Sequence, residues 1–552
     1  MNLLTEPWMP VRRRDGGREW VAPPQLMRPD LLAFDADRAD FNGAMAQFAI
    51  GLLQTTTPVE RHSEWRALLA EPPSEQTLAE WFTPVRTAFE FDGDGARFMQ
   101  DFSLGPDEGA TFGIAALLID TPGKQTLEDN ADHFVKRGRV AQLCTRCAAA
   151  ALFTLQLNAP SGGAGHRTGL RGGGPLTTLL LAPEGSSLWA HLWVNVIERD
   201  RFLADADPDR SELHLTFPWL APITRIQFDD DQHKARTAPA MVHPAHAFWA
   251  MPRRIRLDMS QAGSGACDIC GGFSQLLTRH YKTLPWGLNY KDDWTHPLSP
   301  YYETKVDSKY TWLPVHPQPG GLGYRLWLAL LLGQTSERKK QRRAGVIEHF
   351  LTYRTRAVAG PLRVWAFGFD MDNMKARCWY ESTLPVYGLG DCDAGAQRRI
   401  EAEVGRWLQG AELAASLLRG AVKDAWFKEA PSKADYSAID ATFWAGTESR
   451  FYRQLEELIQ KVRGSDEFDA IAVNTDWLQH LQSVATRLFD HDFVGAGPIA
   501  QEQPRRIAEA YQQLQRSLHG PKLREALGLR VDQAPGDKPK AKRTAKTEEA
   551  TP

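Results

Sequence analysis

At 552 residues the chain is long enough for two to four compact domains, which excludes a single small module. Hydrophobic residues make up 43% of it, charged residues 24%, and there are 18 Trp, so it can build large cores and is neither disordered nor fibrous. The 65 Lys and Arg nearly cancel the 68 Asp and Glu, for a net charge of −3, which excludes a purely electrostatic nucleic-acid binder and leaves such contacts to local basic patches.

At the amino terminus, Glu6 and the run from Arg12 to Asp15 interrupt what would be the apolar core of a signal peptide, so secretion is not indicated. Leu3 to Val11, then Asp15-Gly16-Gly17, then Glu19-Trp20-Val21 predict two short strands around a tight turn, because Asp-Gly tolerates positive φ. From there to about residue 390, short apolar runs such as Leu176 to Leu181 and Val364 to Phe369 alternate with helical stretches and many Gly and Pro, which predicts an irregular mixed α/β body. Two segments, Pro160 to Pro175 and Pro314 to Gly323, are long Gly/Pro-rich loops, and binding residues concentrate on loops. The longest strongly apolar stretch, Leu326 to Leu332, is far short of the roughly 18–20 residues needed to cross a bilayer, so no membrane partner is expected.

After about residue 391 Gly and Pro thin out, and apolar residues recur at helical spacing, as in Phe451, Leu455, Leu458, Ile459 and Val462. Similar stretches at 394–422, 474–489 and 503–528 complete a carboxy-terminal four-helix bundle over 391–528, so the fold class is α+β. Residues 529–552 lose apolar content and run through Lys538-Pro539-Lys540-Ala541-Lys542-Arg543, which predicts a disordered basic tail.

The sharpest chemical signal is Cys144-Thr145-Arg146-Cys147 with Cys267-Asp268-Ile269-Cys270, two knuckles that supply the four thiolates tetrahedral zinc prefers. Only six cysteines in so long a chain, four of them in CxxC pairs, fit a reducing compartment, which places the protein in the cytoplasm. Four sulfur ligands leave no open position, so such a zinc is structural and clamps the region without activating water. The alternatives are four reduced thiols without metal, or a redox pair that lacks the βαβ context it would need. Cys378 and Cys392 are expected to be ordinary buried thiols.

The stretch Pro160-Ser161-Gly162-Gly163-Ala164-Gly165-His166-Arg167-Thr168-Gly169-Leu170-Arg171-Gly172-Gly173-Gly174 lets backbone approach a ligand, and Arg167 and Arg171 suit phosphate or base edges. It is neither a Walker loop nor a dinucleotide fingerprint, so it reads as a flexible connection or a nucleic-acid reader. Other basic features are Lys136-Arg137-Gly138-Arg139, Lys305 with Lys309, and Arg338-Lys339-Lys340-Gln341-Arg342-Arg343, the last a solvated helix face or a phosphate track. The sequence has no GxSxG or HExxH motif, and Asp490-His491-Asp492 and Asp132-His133 are isolated pairs without visible metal partners.

Five segments stand in order along the chain: Asn2 to Arg12, His133-Phe134-Val135-Lys136, Gly169-Leu170-Arg171-Gly172-Gly173, His296-Pro297-Leu298-Ser299-Pro300 and Gly368-Phe369-Asp370-Met371-Asp372-Asn373. Together they resemble the CasA family, the large subunit of the type I-E CRISPR surveillance complex, Cascade. The resemblance covers residues 1 to about 528 and leaves out only the tail. It implies a non-catalytic reader of double-stranded DNA that checks the protospacer-adjacent motif (PAM) before guide RNA pairs with the target. By position it implies a glycine loop at Gly162, Gly163, Ala164 and Gly165, a lysine finger at Lys305, a wedge at Asp372-Asn373-Met374, and a guide-RNA and PAM-proximal loop at Phe134, Val135 and Lys136.

A glycine backbone and one lysine in the minor groove separate A·T from G·C but accept several sequences, which implies a tolerant PAM. A wedge costs a few kcal/mol of unstacking and pre-opens the duplex. This chain departs from the family pattern at two points: Met374 follows Asn373 where members can carry glutamine, which makes the wedge apolar, and Ala164 narrows the backbone freedom of the loop. The implied partners are the other Cascade subunits, guide RNA, target DNA and a helicase-nuclease recruited by the outer face of the body, with the bundle against inner filament subunits. The rival readings are a stand-alone zinc-containing nucleic-acid-processing enzyme and an interaction scaffold with no DNA role.

Overall fold

The computed structural model describes residues 1–530 except 133–134, 136, 164, 205–209, 228–234, 261–262, 292, 307, 336–339, 373–374, 388–391, 430–434, 465–466 and 496–502. The expected tail therefore lies outside the described residues from 531 onward. Contacts cluster into two units, Met1–Glu401 and Ala402–Pro552.

The first unit opens with the expected hairpin: Met9–Arg13 pairs antiparallel with Arg18–Val21, and Gly16 sits in the turn at φ +83°. Leu31–Phe34 pairs with the other edge of Met9–Arg13, and Trp8, Met9, Val11 and Leu31 are buried. Helix α1 (Ala39–Thr56) is buried nearly all round, as a helix with apolar residues on every face must be. Its Phe48 meets Trp8, Phe89, Phe98, Phe153 and Trp249 edge-on, with ring centroids 5.0 to 5.8 Å apart, at the centre of the core. Phe153 belongs to helix α2 (Thr145–Asn158), buried from Cys147 to Asn158.

Around these helices the described residues form small sheets of three or four strands. The short apolar run at 176–181 forms the strand Thr177–Leu181, paired with the long hairpin Leu362–Asp372 and Lys375–Val386. A second hairpin, Tyr301–Val306 with Lys309–Pro314, gains Lys340–Arg342 as a further antiparallel neighbour. The described part of the basic run 338–343 is therefore a strand segment, not a helix face. Lys340 and Arg342 alternate with Gln341 at the two-residue period of a strand and offer no helical apolar stripe.

In the second unit, α3 (Ala394–Trp426, which starts in the first), α4 (Ser437–Gly464), α5 (Ala470–Arg487) and α6 (Pro504–Leu518) form the carboxy-terminal bundle. Trp407 Nε1 donates to Asn474 Oδ1 at 2.6 Å, Asn474 Nδ2 to Leu527 O at 2.9 Å, and Trp477 Nε1 to Trp407 O at 3.1 Å, so these polar groups inside the bundle satisfy one another. The stretch expected as one helix over 503–528 is two, because Gly520-Pro521 ends α6 and starts α7 (Pro521–Ala526). Proline lacks the N–H that a continuing helix needs and fits a helix start. Among the described residues no helix is long and apolar enough to cross a membrane.

Candidate metal centre and nucleic-acid interface

Cys144 closes the short strand Leu143–Cys144 and caps α2, its Sγ accepting from Cys147 N at 3.5 Å. The second knuckle links strands Gly263–Ala266 and Phe273–Thr278 of the same sheet, where Gly271 N donates to Cys267 O at 2.9 Å and Cys267 N to Gly272 O at 3.0 Å. All four Sγ atoms lie within 4.8 Å of one another, with Cys144 and Cys270 at 3.9 Å. A tetrahedral metal with bonds of roughly 2.3 Å spaces its sulfurs by about 3.8 Å, so the donor set fits a closed site of four thiolates. Hydrogen bonds among the four sulfurs pull Cys267 and Cys270 down and push Cys144 and Cys147 up, so two of the thiols stabilise the other two as thiolates.

Sequence reasoning missed Asp268, whose Oδ2 accepts from Ala141 N at 2.6 Å and Gln142 N at 2.9 Å and so ties the second knuckle to the strand entering the first. Its only signal was a carboxylate directly after Cys267. Cys378 and Cys392 are half-exposed rather than buried, because they lie on the long hairpin and in the segment that follows it, outside the packed core.

Helix α2 runs from this cluster to the glycine segment, a rise of about 21 Å at ~1.5 Å per residue. Gly169 N donates to Ala159 O at 2.9 Å and Gly174 N to Asn158 O at 3.1 Å, which closes the segment into a compact loop rooted on the end of α2. Inside it, Gly162 N donates to His166 O at 3.3 Å and His166 N to Gly163 O at 3.0 Å. Gly165 takes φ +83° and receives Trp286 N at its carbonyl at 3.0 Å; a Cβ there would fall 2.7 Å from the Trp286 ring. Arg167 stacks over the same ring at 4.8 Å.

Ala164 lies outside the described residues. Arg171, read as a possible phosphate contact, is buried instead. Its Nη1 donates to Thr177 Oγ1 and Ser299 Oγ, both at 3.0 Å, and its Nη2 to Gln47 Oε1 at 2.6 Å, and burial pulls its pKa down to about 10. The Gly-Leu-Arg-Gly-Gly motif thus anchors the loop through its arginine, and a buried side chain spent on three internal acceptors is out of a ligand's reach.

Two other predicted elements approach this loop. A Cβ at Gly174 would lie 2.8 Å from Phe369 O and 2.9 Å from Met371 Cε, on the strand that leads to the tip of the long hairpin. Asn373 and Met374, which follow Asp372 in sequence, lie outside the described residues. On the other side, Leu176 N donates to Val315 O at 2.9 Å, and Gly172 abuts His316, just past the root of the second hairpin. Lys305 is exposed near the free end of that hairpin, opposite Tyr310.

Of the loop 134–136, Phe134 and Lys136 lie outside the described residues, while Val135 lines a cleft of about 250 Å3 with Arg38, Asp120, Arg137 and Ile269 of the second knuckle. Arg137, one of the basic residues singled out there, donates through Nη2 to Asp132 Oδ1 at 2.7 Å and holds that carboxyl well below its ordinary range. Asp492 likewise pairs with Arg487 at 3.1 Å. Among the described residues, the four cysteines are the one group of three or more His, Cys, Asp or Glu placed to share a metal.

The family model of CRISPR-associated protein Cse1 matches residues 2–488. The fold is similar to that of Cse1 from Thermobifida fusca (TM-score 0.65, 15% identity, covering 96% of this chain and 97% of that one). It is also similar to that of Thermus thermophilus CasA (Cse1) (TM-score 0.63, 16% identity, 94% and 99%). A chain in a structure described as a CRISPR RNA-guided surveillance complex matches at TM-score 0.61 and 16% identity, again over 94% and 99%. Matched over most of its length by that family model and sharing the fold of these relatives, the chain belongs to the Cse1 family of CRISPR-associated proteins, also called CasA.

Proposed function

We propose that this chain is the large subunit of the type I-E Cascade complex, a non-catalytic reader of double-stranded DNA. In this reading the body, to about residue 390, checks the PAM from the minor groove and helps to open the duplex for guide-RNA pairing, while its outer face recruits the helicase-nuclease. The helices of 391–528 face the other Cascade subunits. Zinc on Cys144, Cys147, Cys267 and Cys270 locks the start of α2 and takes no part in chemistry. Gly162 to Gly165 and Lys305 approach base edges, Asn373 and Met374 wedge the first base step, and residues 134–136 meet the guide RNA.

The observation that supports this most is the convergence of segments far apart in sequence. The closed glycine loop lies against the strand leading to 373–374 and against the root of the hairpin that carries Lys305.

The test is Lys305→Ala in the assembled complex. Binding to PAM-containing duplex should weaken by roughly 1–3 kcal/mol, with little change on duplex lacking the PAM. Equal losses on both, with the salt slope reduced by about one, would make Lys305 a phosphate contact and remove it from the reader.

A further inference from the structure

We infer that the face of the sheet carrying Lys305 is a stacking platform for unpaired DNA, with Tyr310 taking a base and Lys340 and Arg342 facing its phosphates, beside the Lys305 that the reading above places on the PAM. The inference rests on the PAM-reading proposal, because the displaced strand begins where that reading ends.

Register defines the face. Tyr301 opposes both Pro314 and Arg342, Glu303 opposes Trp312, and Lys305 opposes Tyr310. Directly opposed residues share a face, and Lys340 lies two residues from Arg342, so Lys305, Tyr310, Trp312, Lys340 and Arg342 stand on one side of the sheet with Tyr301 and Glu303. The face grades from a buried root, with Tyr301 2% exposed, to an open end, with Tyr310 72% exposed. Arg342 covers Trp312 at 4.5 Å, and Lys340 Nζ lies 6.0 Å from the Tyr310 ring.

Lys340 and Arg342 thus lie by the Tyr310 and Trp312 rings with Lys305 across the ladder, against one carboxylate, Glu303, already bridged to Lys340 at 2.8 Å. That charge balance complements a polyanion. An open aromatic ring between cations is how sequence-tolerant single-strand binders hold bases: the ring stacks on any base and the cations follow the backbone. A closed duplex offers phosphates but no free base face, so it would use the lysines and leave Tyr310 idle. Unpaired DNA uses both. Tyr310 sits directly across the ladder from Lys305, so a strand freed beside a PAM held by Lys305 emerges next to the ring.

The experiment uses the assembled complex on PAM-containing duplex, with 2-aminopurine in the displaced strand beside the PAM. Tyr310→Ala should raise fluorescence, as the base loses its stack, and speed loss of the opened complex by about 5- to 150-fold. Tyr310→Trp should restore both, while affinity for a PAM duplex blocked from opening stays at the wild-type level. Lys305→Ala should do the reverse on the blocked duplex, so failure of the PAM reading is seen separately. Wild-type fluorescence and lifetime in Tyr310→Ala would overturn the inference. So would an equal loss on the blocked duplex, which would make Tyr310 a duplex contact, or failure of the variant to join the complex, which would make the face a protein interface.

Discussion

The two ends of α2 hold irregular chain in place by opposite means. At the Cys144 end the work is done by side-chain chemistry: four sulfurs within 4.8 Å and the Asp268 carboxylate bridging two backbone amides. At the Asn158 end it is done by backbone closure and by the absence of side chains, with Gly165 under Trp286 and Gly174 against Phe369. Arg171 is buried there, and half-buried Arg253 lies beside Gly162 and donates to Pro160 O; burial pushes both down to about 10, and Arg171 donates to neutral oxygens of Gln47, Thr177 and Ser299. With zinc on the four sulfurs, the first end is expected to yield to a chelator. The second can be undone only by adding atoms or protons. Because one buried helix joins them, the position of the glycine loop depends on both.

The largest effect should come from breaking the sulfur cluster. Cys267→Ser is expected to cost about 3–5 kcal/mol, in the range for losing a native crosslink, and to reduce zinc from one per chain to none, read by metal analysis and thermal melting. Zinc-free protein of full stability would erase the contrast between the ends.

A smaller loss is expected from Gly165→Ala, which places a Cβ 2.7 Å from the Trp286 ring at φ +83°. The strain should cost about 1–3 kcal/mol and weaken PAM-duplex binding while zinc content stays at one per chain. Loss of zinc in this variant would show that the ends are not separable.

The smallest effect should come from acid. Burial lowers the pKa of His166 and of His316, the residue beside Gly172, below the ordinary 6.5. A histidine whose folded pKa is depressed binds fewer protons than the unfolded chain, so its contribution is full above about pH 6.5 and is lost as pH falls below it. Stability should therefore decline with acid below that point, and His316→Gln should flatten the slope in melts across the pH range. An unchanged slope would remove His316 from the loop's support.

Much of this could be read locally. The knuckles were visible because CxxC spacing puts two sulfurs on one turn, the first hairpin because Asp15-Gly16 suits its turn, and the bundle because Phe451, Leu455, Leu458 and Val462 keep helical period. The break before α7 was legible too, in Gly520-Pro521, but an apolar pattern on both sides of it masked the stop. The order of the five motifs was enough to point to the family that residues 2–488 match.

What the sequence determined by itself were features set by neighbours in the chain: turn geometry, helical period, the ligand type of each knuckle and the content of the glycine segment. Tertiary structure alone decided that Arg171 turns inward to Gln47 and Ser299, that Asp268 joins the knuckles, and that Cys378 is half-exposed. It also decided that Lys340 and Arg342 share a sheet face with Tyr310. The physical reason is that burial and strand register depend on partners more than a hundred residues away for Arg171 and Asp268, and on pairing across separate strands for Tyr310, so the same arginine or tyrosine is an internal anchor or an open surface according to what folds against it.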